Sequence, residues 1–144
     1  MNPNYNQTIT IYNCLRAVNN PDSKKDVWQR TVLHDCFYKN IIGRTDNLSS
    51  DPRMSNTYTS RIAESPLYRP YVEWCRLSDA DRKRYFTCSL KDIVVKGECT
   101  EEITGVSPNT ATEILSRHKP DAFVVTAFSD NTSHATAKHY RLGG

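Results

Sequence analysis

Polar and apolar residues alternate with a period of two over Thr8-Ile9-Thr10-Ile11-Tyr12. Such alternation predicts a strand, with Ile9 and Ile11 on its buried face. The cluster Asn19-Asn20-Pro21-Asp22-Ser23 reads as a turn. Residues 27–38 follow as a long strand, bent as strands are in small barrels, with Trp28, Val32, Cys36 and Tyr38 on one face together with Arg30 and His34. The polar stretch 43–55 predicts a loop, and 56–62 a third strand. Further strands are expected from Phe86-Thr87-Cys88 into 93–98, over 122–128, and at about 137–142.

Three segments break this rhythm. Ser65-Pro66 and Arg69-Pro70 lead into Tyr71-Val72-Glu73-Trp74, which reads as irregular or as one short helical turn. Ser78 stands as an N-cap before Asp79 and Asp81, acids suited to a first helical turn. Residues 110–118 have the pattern of a short amphipathic helix with Ile114 and Leu115 inward, and Pro120 stops it. The sum is a mainly β domain over residues 1–144, a small barrel or sandwich of about six strands with two or three short helical turns.

Composition changes this picture little. The chain has 144 residues, enough for one buried core. Its 38% hydrophobic content is modest, and the eight tyrosines and only five glycines suit an ordered, half-buried β architecture. A net charge of +3, with both signs mixed along the chain, does not mark a nucleic-acid binder. No apolar run approaches a bilayer span, and residues 1–7 lack the basic and apolar regions of a signal peptide, so a reducing cytoplasm is the expected place of synthesis. The five cysteines (Cys14, Cys36, Cys75, Cys88 and Cys99) are odd in number and form no CxxC pair. They read as buried or half-buried thiols, not as a disulfide framework or zinc site.

Candidate chemistry is sparse. His34 and Cys36 share a strand but lack a nucleophile elbow. His134 and His139 lack the HxH or HxxxH spacing of metal ligands, and His118 is accounted for by a helix C-terminus. The acids Asp79 and Asp81, or Glu101 and Glu102, fall in turn and capping contexts, and the scattered glycines make no phosphate loop. The expectation is therefore a protein that is not an enzyme and uses no cofactor or metal. The densest basic cluster, Arg82-Lys83-Arg84 followed by Tyr85 and Phe86, is the one candidate DNA-facing surface. It would make loose backbone contact without base readout.

A resemblance adds a narrower expectation. Ile9-Thr10-Ile11-Tyr12-Asn13, Val27-Trp28-Gln29-Arg30-Thr31-Val32-Leu33-His34, Tyr85-Phe86-Thr87, 92–98, Glu102-Ile103-Thr104, Ala122-Phe123-Val124-Val125, Ser129-Asp130-Asn131-Thr132 and His139-Tyr140 occur in an order that resembles a family of small proteins encoded by Firmicutes-type phages and prophages. The resemblance leaves out 43–55 and 63–78. It implies a structural virion protein at the head–tail junction, similar to head-closure (stopper) or tail-completion neck proteins. Such a protein works as a homo-oligomeric ring between the portal or adaptor side and the tail side, in possible contact with packaged DNA and with no membrane partner. Separately, the 43–55 loop, with Arg44, Asp51 and Arg53, is too polar to enter a core and long for a barrel connection, and is the expected assembly loop. Two other readings stay open: a minor capsid or decoration protein, and a small intracellular nucleic-acid-binding β-barrel.

Overall fold

A computed structural model describes residues 4–20, 24–45, 53–133, 135–136 and 138–144. Seven antiparallel strands form one curled sheet: β1 (Gln7–Leu15), β2 (Val27–Thr45), β3 (Arg53–Ala63), β4 (Ile93–Lys96), β5 (Ala122–Val124), β6 (Ala127–Asp130) and β7 (His139–Gly143). Among the described residues three short α-helices decorate it: α1 (Tyr71–Arg76), α2 (Asp79–Arg82) and α3 (Ala111–His118). The mainly β architecture anticipated from alternation is therefore the observed one, with seven strands. Among the described residues, no helix is long and apolar enough to cross a membrane.

The strand order β5-β4-β1-β2-β3-β7-β6 puts β5 and β6 at opposite edges, although only Val125 and Thr126 separate them in sequence. The run 122–130 thus serves both edges, its first half pairing with β4 and its second with β7. At the corner, Val125 N donates to Asp92 O at 2.8 Å and Thr126 N to Gly143 O at 2.8 Å. The β5 edge also lies close to the residue that follows β7: a Cβ on Gly144 would lie 2.5 Å from Val124 O. The continuous strand expected over 122–128 is therefore two strands joined by a corner.

Two apolar layers lie on either side of β1, which is buried on both faces from Ile9 to Leu15. Inside the curl, Ile9 and Ile11 pack with Tyr38, Tyr58, Phe123 and Leu142. Outside it, Tyr12, Ile93 and Val95 lie under Ile103 and Ile114 of the α3 region. α3 begins with Thr110 as N-cap, its hydroxyl accepting from Glu113 N at 3.3 Å and donating to the Glu113 carboxylate at 2.9 Å.

The second strand departs from its expected face pattern. Gln7 pairs with Cys36 but Ile9 pairs with Leu33, so β2 spends three steps where β1 spends two. The extra residue, Asp35, has φ 56° and forms a β-bulge. Alternation reverses across it. Leu33 before the bulge and Cys36 and Tyr38 after it all meet the inner layer, whereas Trp28 packs with the outer one. Trp28 and Tyr38 therefore do not share a face.

The other departures are smaller. Residues 43–45 and 53–55, expected to be loop, continue β2 and β3 in register, Gly43 opposite Ser55 and Thr45 opposite Arg53. The segment between them lies outside the described residues, as do Pro21-Asp22-Ser23, His134 and Ala137. Phe86-Thr87-Cys88 makes only one bridge, Phe86 to Tyr68, in place of a strand. Ser129 and Asp130, expected in a loop, end β6. Residues 71–76 form a complete short helix with Trp74 buried.

Candidate functional site

Ser78 caps α2 as its sequence suggests, accepting from Asp81 N. That turn orients the basic cluster unequally. Arg82 is mostly buried, with 14% of its side chain exposed, and its guanidinium donates to Leu77 O at 2.6 Å and to Asp79 Oδ1 at 2.6 Å. It also lies over the Trp74 ring, 5.6 Å from the centroid. Arg82 is thus a clamp on the α1–α2 turn. A charge run in sequence cannot distinguish a cation that folds back onto carbonyls from one that faces solvent. Lys83 and Arg84 are exposed, with Asp81 3.9 Å from Arg84. The open cleft beside this turn, about 530 Å³, runs between Trp28 and Trp74 and is edged by Arg30, Lys83 and Glu102.

Of the assembly-loop residues, Arg44 lies in β2 opposite Met54 and Arg53 in β3 opposite Thr45, both within a ladder. Asp51 lies outside the described residues. The structure does not bring these three together with the basic cluster into one described site.

A different group converges on the outer face of β1. After β4 the chain turns at Gly97, whose φ of 84° suits a residue without a Cβ. The next turn is pinned to the neighbouring strands. Thr10 Oγ1 donates to Gly97 O and accepts from Cys99 N, both at 2.8 Å, and Arg30 donates to Cys99 O at 3.0 Å. The buried Tyr12 hydroxyl lies 3.0 Å from Cys99 Sγ and 2.7 Å from Glu101 O. From the other side, the last turn of α3 brings His118 Nε2 to 3.4 Å from Cys99 Sγ and 3.3 Å from Glu101 Oε1. Arg117 holds the second oxygen of Glu101 and also bonds Pro108 O and Asn109 Oδ1.

The electrostatics follow from these contacts. The Arg117 guanidinium beside Glu101 holds its carboxyl below the usual carboxylate range. Burial first, and the neighbouring thiol second, push the Tyr12 hydroxyl well above its ordinary value, so it stays a hydrogen-bond donor. In sequence, His118 reads as a helix terminus, Cys99 as a buried or half-buried thiol and Glu101 as a turn residue. The Cys-x-Glu spacing and a histidine many residues later carry no recognisable signature, because the residues that assemble them lie on β1 and β2.

Cysteines elsewhere behave as apolar filling. Cys14, Cys36 and Cys88 are buried free thiols, and burial pushes Cys14 and Cys36 up to about 12. Such thiols are poor nucleophiles.

Comparison with known proteins adds a single assignment. No curated protein and no solved structure matches the chain. One family model matches residues 4–144, nearly the whole of it, and the chain therefore belongs to the family of unknown function DUF6751.

Proposed function

We propose that this chain is a non-catalytic assembly subunit of a tailed phage particle, a connector or stopper ring component at the head–tail junction. The observation that carries the reading is an arm. β1 accompanies β2 only as far as Cys36, and the chain end from β7 accompanies β3 only as far as Tyr58, which exchanges two backbone hydrogen bonds with Gly144. Residues 41–45 and 53–57 therefore pair only with each other among the described residues. At about 3.3 Å per residue this ribbon projects roughly 17 Å beyond the sheet.

A two-stranded ribbon is marginal in water without a third strand or a packed face, and Ile41 on this one is 50% exposed. Its unpaired outer edges can accept a strand from a neighbouring subunit. A compact curled sheet with a projecting ribbon is the shape that ring assembly needs, and the ordered resemblance to a family of small phage-encoded proteins supports the particle. The Cys99–His118 pair does not argue for thiol catalysis. Glu101 and Cys99 approach the same ring nitrogen, so the carboxylate cannot orient the imidazole from its far side as a relay requires.

The test is genetic and biochemical. The protein should be found by mass spectrometry in purified particles of a phage that encodes it. Replacing 43–55 by a two-residue turn should leave the barrel folded but yield DNA-filled heads that fail to join tails. Normal plaque formation by that deletion would sink the proposal.

A further inference from the structure

Cys99, Glu101 and His118 present one ligand atom each, all within 4.8 Å of one another. A tetrahedral ion with Zn–S of about 2.3 Å and Zn–N of about 2.0 Å sets sulfur and nitrogen about 3.5 Å apart, and nitrogen and carboxylate oxygen about 3.3 Å apart. The observed separations, 3.4 Å from Sγ to Nε2 and 3.3 Å from Nε2 to Oε1, are two edges of that tetrahedron. We propose that Cys99, Glu101 and His118 form a three-ligand site for a zinc-class divalent cation, with a fourth position open to solvent.

The surroundings are those of a metal site. Arg117 occupies only the outer oxygen of Glu101, which orients the carboxylate and leaves Oε1 turned toward His118 Nε2. The buried Tyr12 hydroxyl lies 3.0 Å from the sulfur and gives its one proton to Glu101 O at 2.7 Å, which fixes the turn that carries both ligands. The Cys99 backbone is anchored by Thr10 and Arg30, so the sulfur is placed before any ion arrives. Thiolate and imidazole select zinc-like ions over calcium or magnesium, which prefer all-oxygen shells. Glu101 and His118 are partly exposed, which gives the ion a path and a water ligand room. Binding would displace the Cys99 thiol proton to solvent and tie the end of α3 to the barrel wall through β1.

The experiment uses the full chain carrying an affinity tag without histidines, stripped with chelator under reducing conditions. Zinc would be titrated against a colorimetric chelator, and cobalt would be followed by absorbance. The expected result is one ion per chain at micromolar metal. The cobalt form should show a thiolate-to-metal charge-transfer band and d–d bands of four-coordinate intensity. His118→Gln and Glu101→Gln change partly exposed side chains, so their folds should survive. Each should weaken binding by more than about tenfold, while Cys75→Ser should leave it unchanged. Cys99→Ser should abolish the charge-transfer band; if it misfolds, the other two variants decide. Absence of a thiolate band, or unchanged affinity in His118→Gln, would overturn the site. So would rapid alkylation of Cys99 that depends on His118 in a protein that binds no metal, since that would make the pair a reactive thiol. None of these readouts depends on particle assembly.

Discussion

Asn13 donates its side-chain amide to Asp92, 2.8 Å away, and also to Thr87 O at 2.6 Å. Both residues are wholly buried, and the Asp92 carboxylate further accepts from Cys14 N, Ser89 N and Ser89 Oγ. One carboxylate therefore ties β1 to the turn that opens β4, close to the corner where the sheet closes. Asn in place of Asp92 would turn an amide donor toward this ring of donors. Asp92→Asn should cost about 1.5–3 kcal/mol by urea unfolding. A loss within about 0.5 kcal/mol would show the network to be dispensable.

The same residue gives a pH dependence with a definite sign. Burial pushes Asp92 up to about 6, against an ordinary value of 3.8. Between those values the folded chain holds a proton that the unfolded chain has released, so Asp92's stabilising share is fully present below 3.8 and is lost as pH rises through 6. Two pKa units correspond to about 3 kcal/mol at most. The stability gap between the native chain and Asp92→Asn should therefore be wider at about pH 4.5 than at about pH 7.5. A gap that widens with pH would refute this.

Asp35 sits at the β2 bulge with φ 56°. A residue without a Cβ adopts that conformation freely, whereas a β-branched one is strained there. Asp35→Gly should be neutral or slightly stabilising, and Asp35→Val should lower stability by about 1–2 kcal/mol. Equal stability of the two variants by thermal melting would mean that the bulge relaxes.

Arg82 and its neighbours should separate cleanly. Arg82→Gln leaves Leu77 O and Asp79 without their donor and should destabilise the fold by about 1–3 kcal/mol. The double change Lys83→Glu with Arg84→Glu affects exposed side chains and should stay within about 0.5 kcal/mol. Filter binding at two salt concentrations reads the other property. Salt-sensitive DNA retention lost only in the double variant would place DNA on that surface.

Thr110 closes α3 through its reciprocal contacts with Glu113. Thr110→Ala should cost about 1 kcal/mol. An unchanged melting temperature would mean that packing of Ile114 alone holds the helix.

Period-two alternation made β1 legible, and the hydroxyl caps at Ser78 and Thr110 made the starts of α2 and α3 legible, because these are local signals. The face pattern of β2 was not, since one residue in the left-handed region reverses it and aspartate there carries no distinctive mark. The corner at Val125-Thr126 was hidden inside an unbroken β-prone run, where only the partners on either side determine the bend. The Cys99 cluster was the least legible. The Tyr12 hydroxyl reaches Glu101 O across 89 positions, and no window of sequence contains both. The inward turn of Arg82 was hidden for a related reason, being set by carbonyls of α1 and the turn after it.

The run 122–130 is a clasp. Until it and β7 are made, a growing chain has β4 and β3 as raw edges of an open sheet, and Phe123 and Leu142 do not yet cover Ile9, Ile11 and Val94. Nothing translated earlier can substitute, because both missing edge pairings belong to the last quarter of the chain. A product truncated before Ala122 should therefore seek another chain's strand to complete itself and accumulate as aggregate instead of a smaller folded domain.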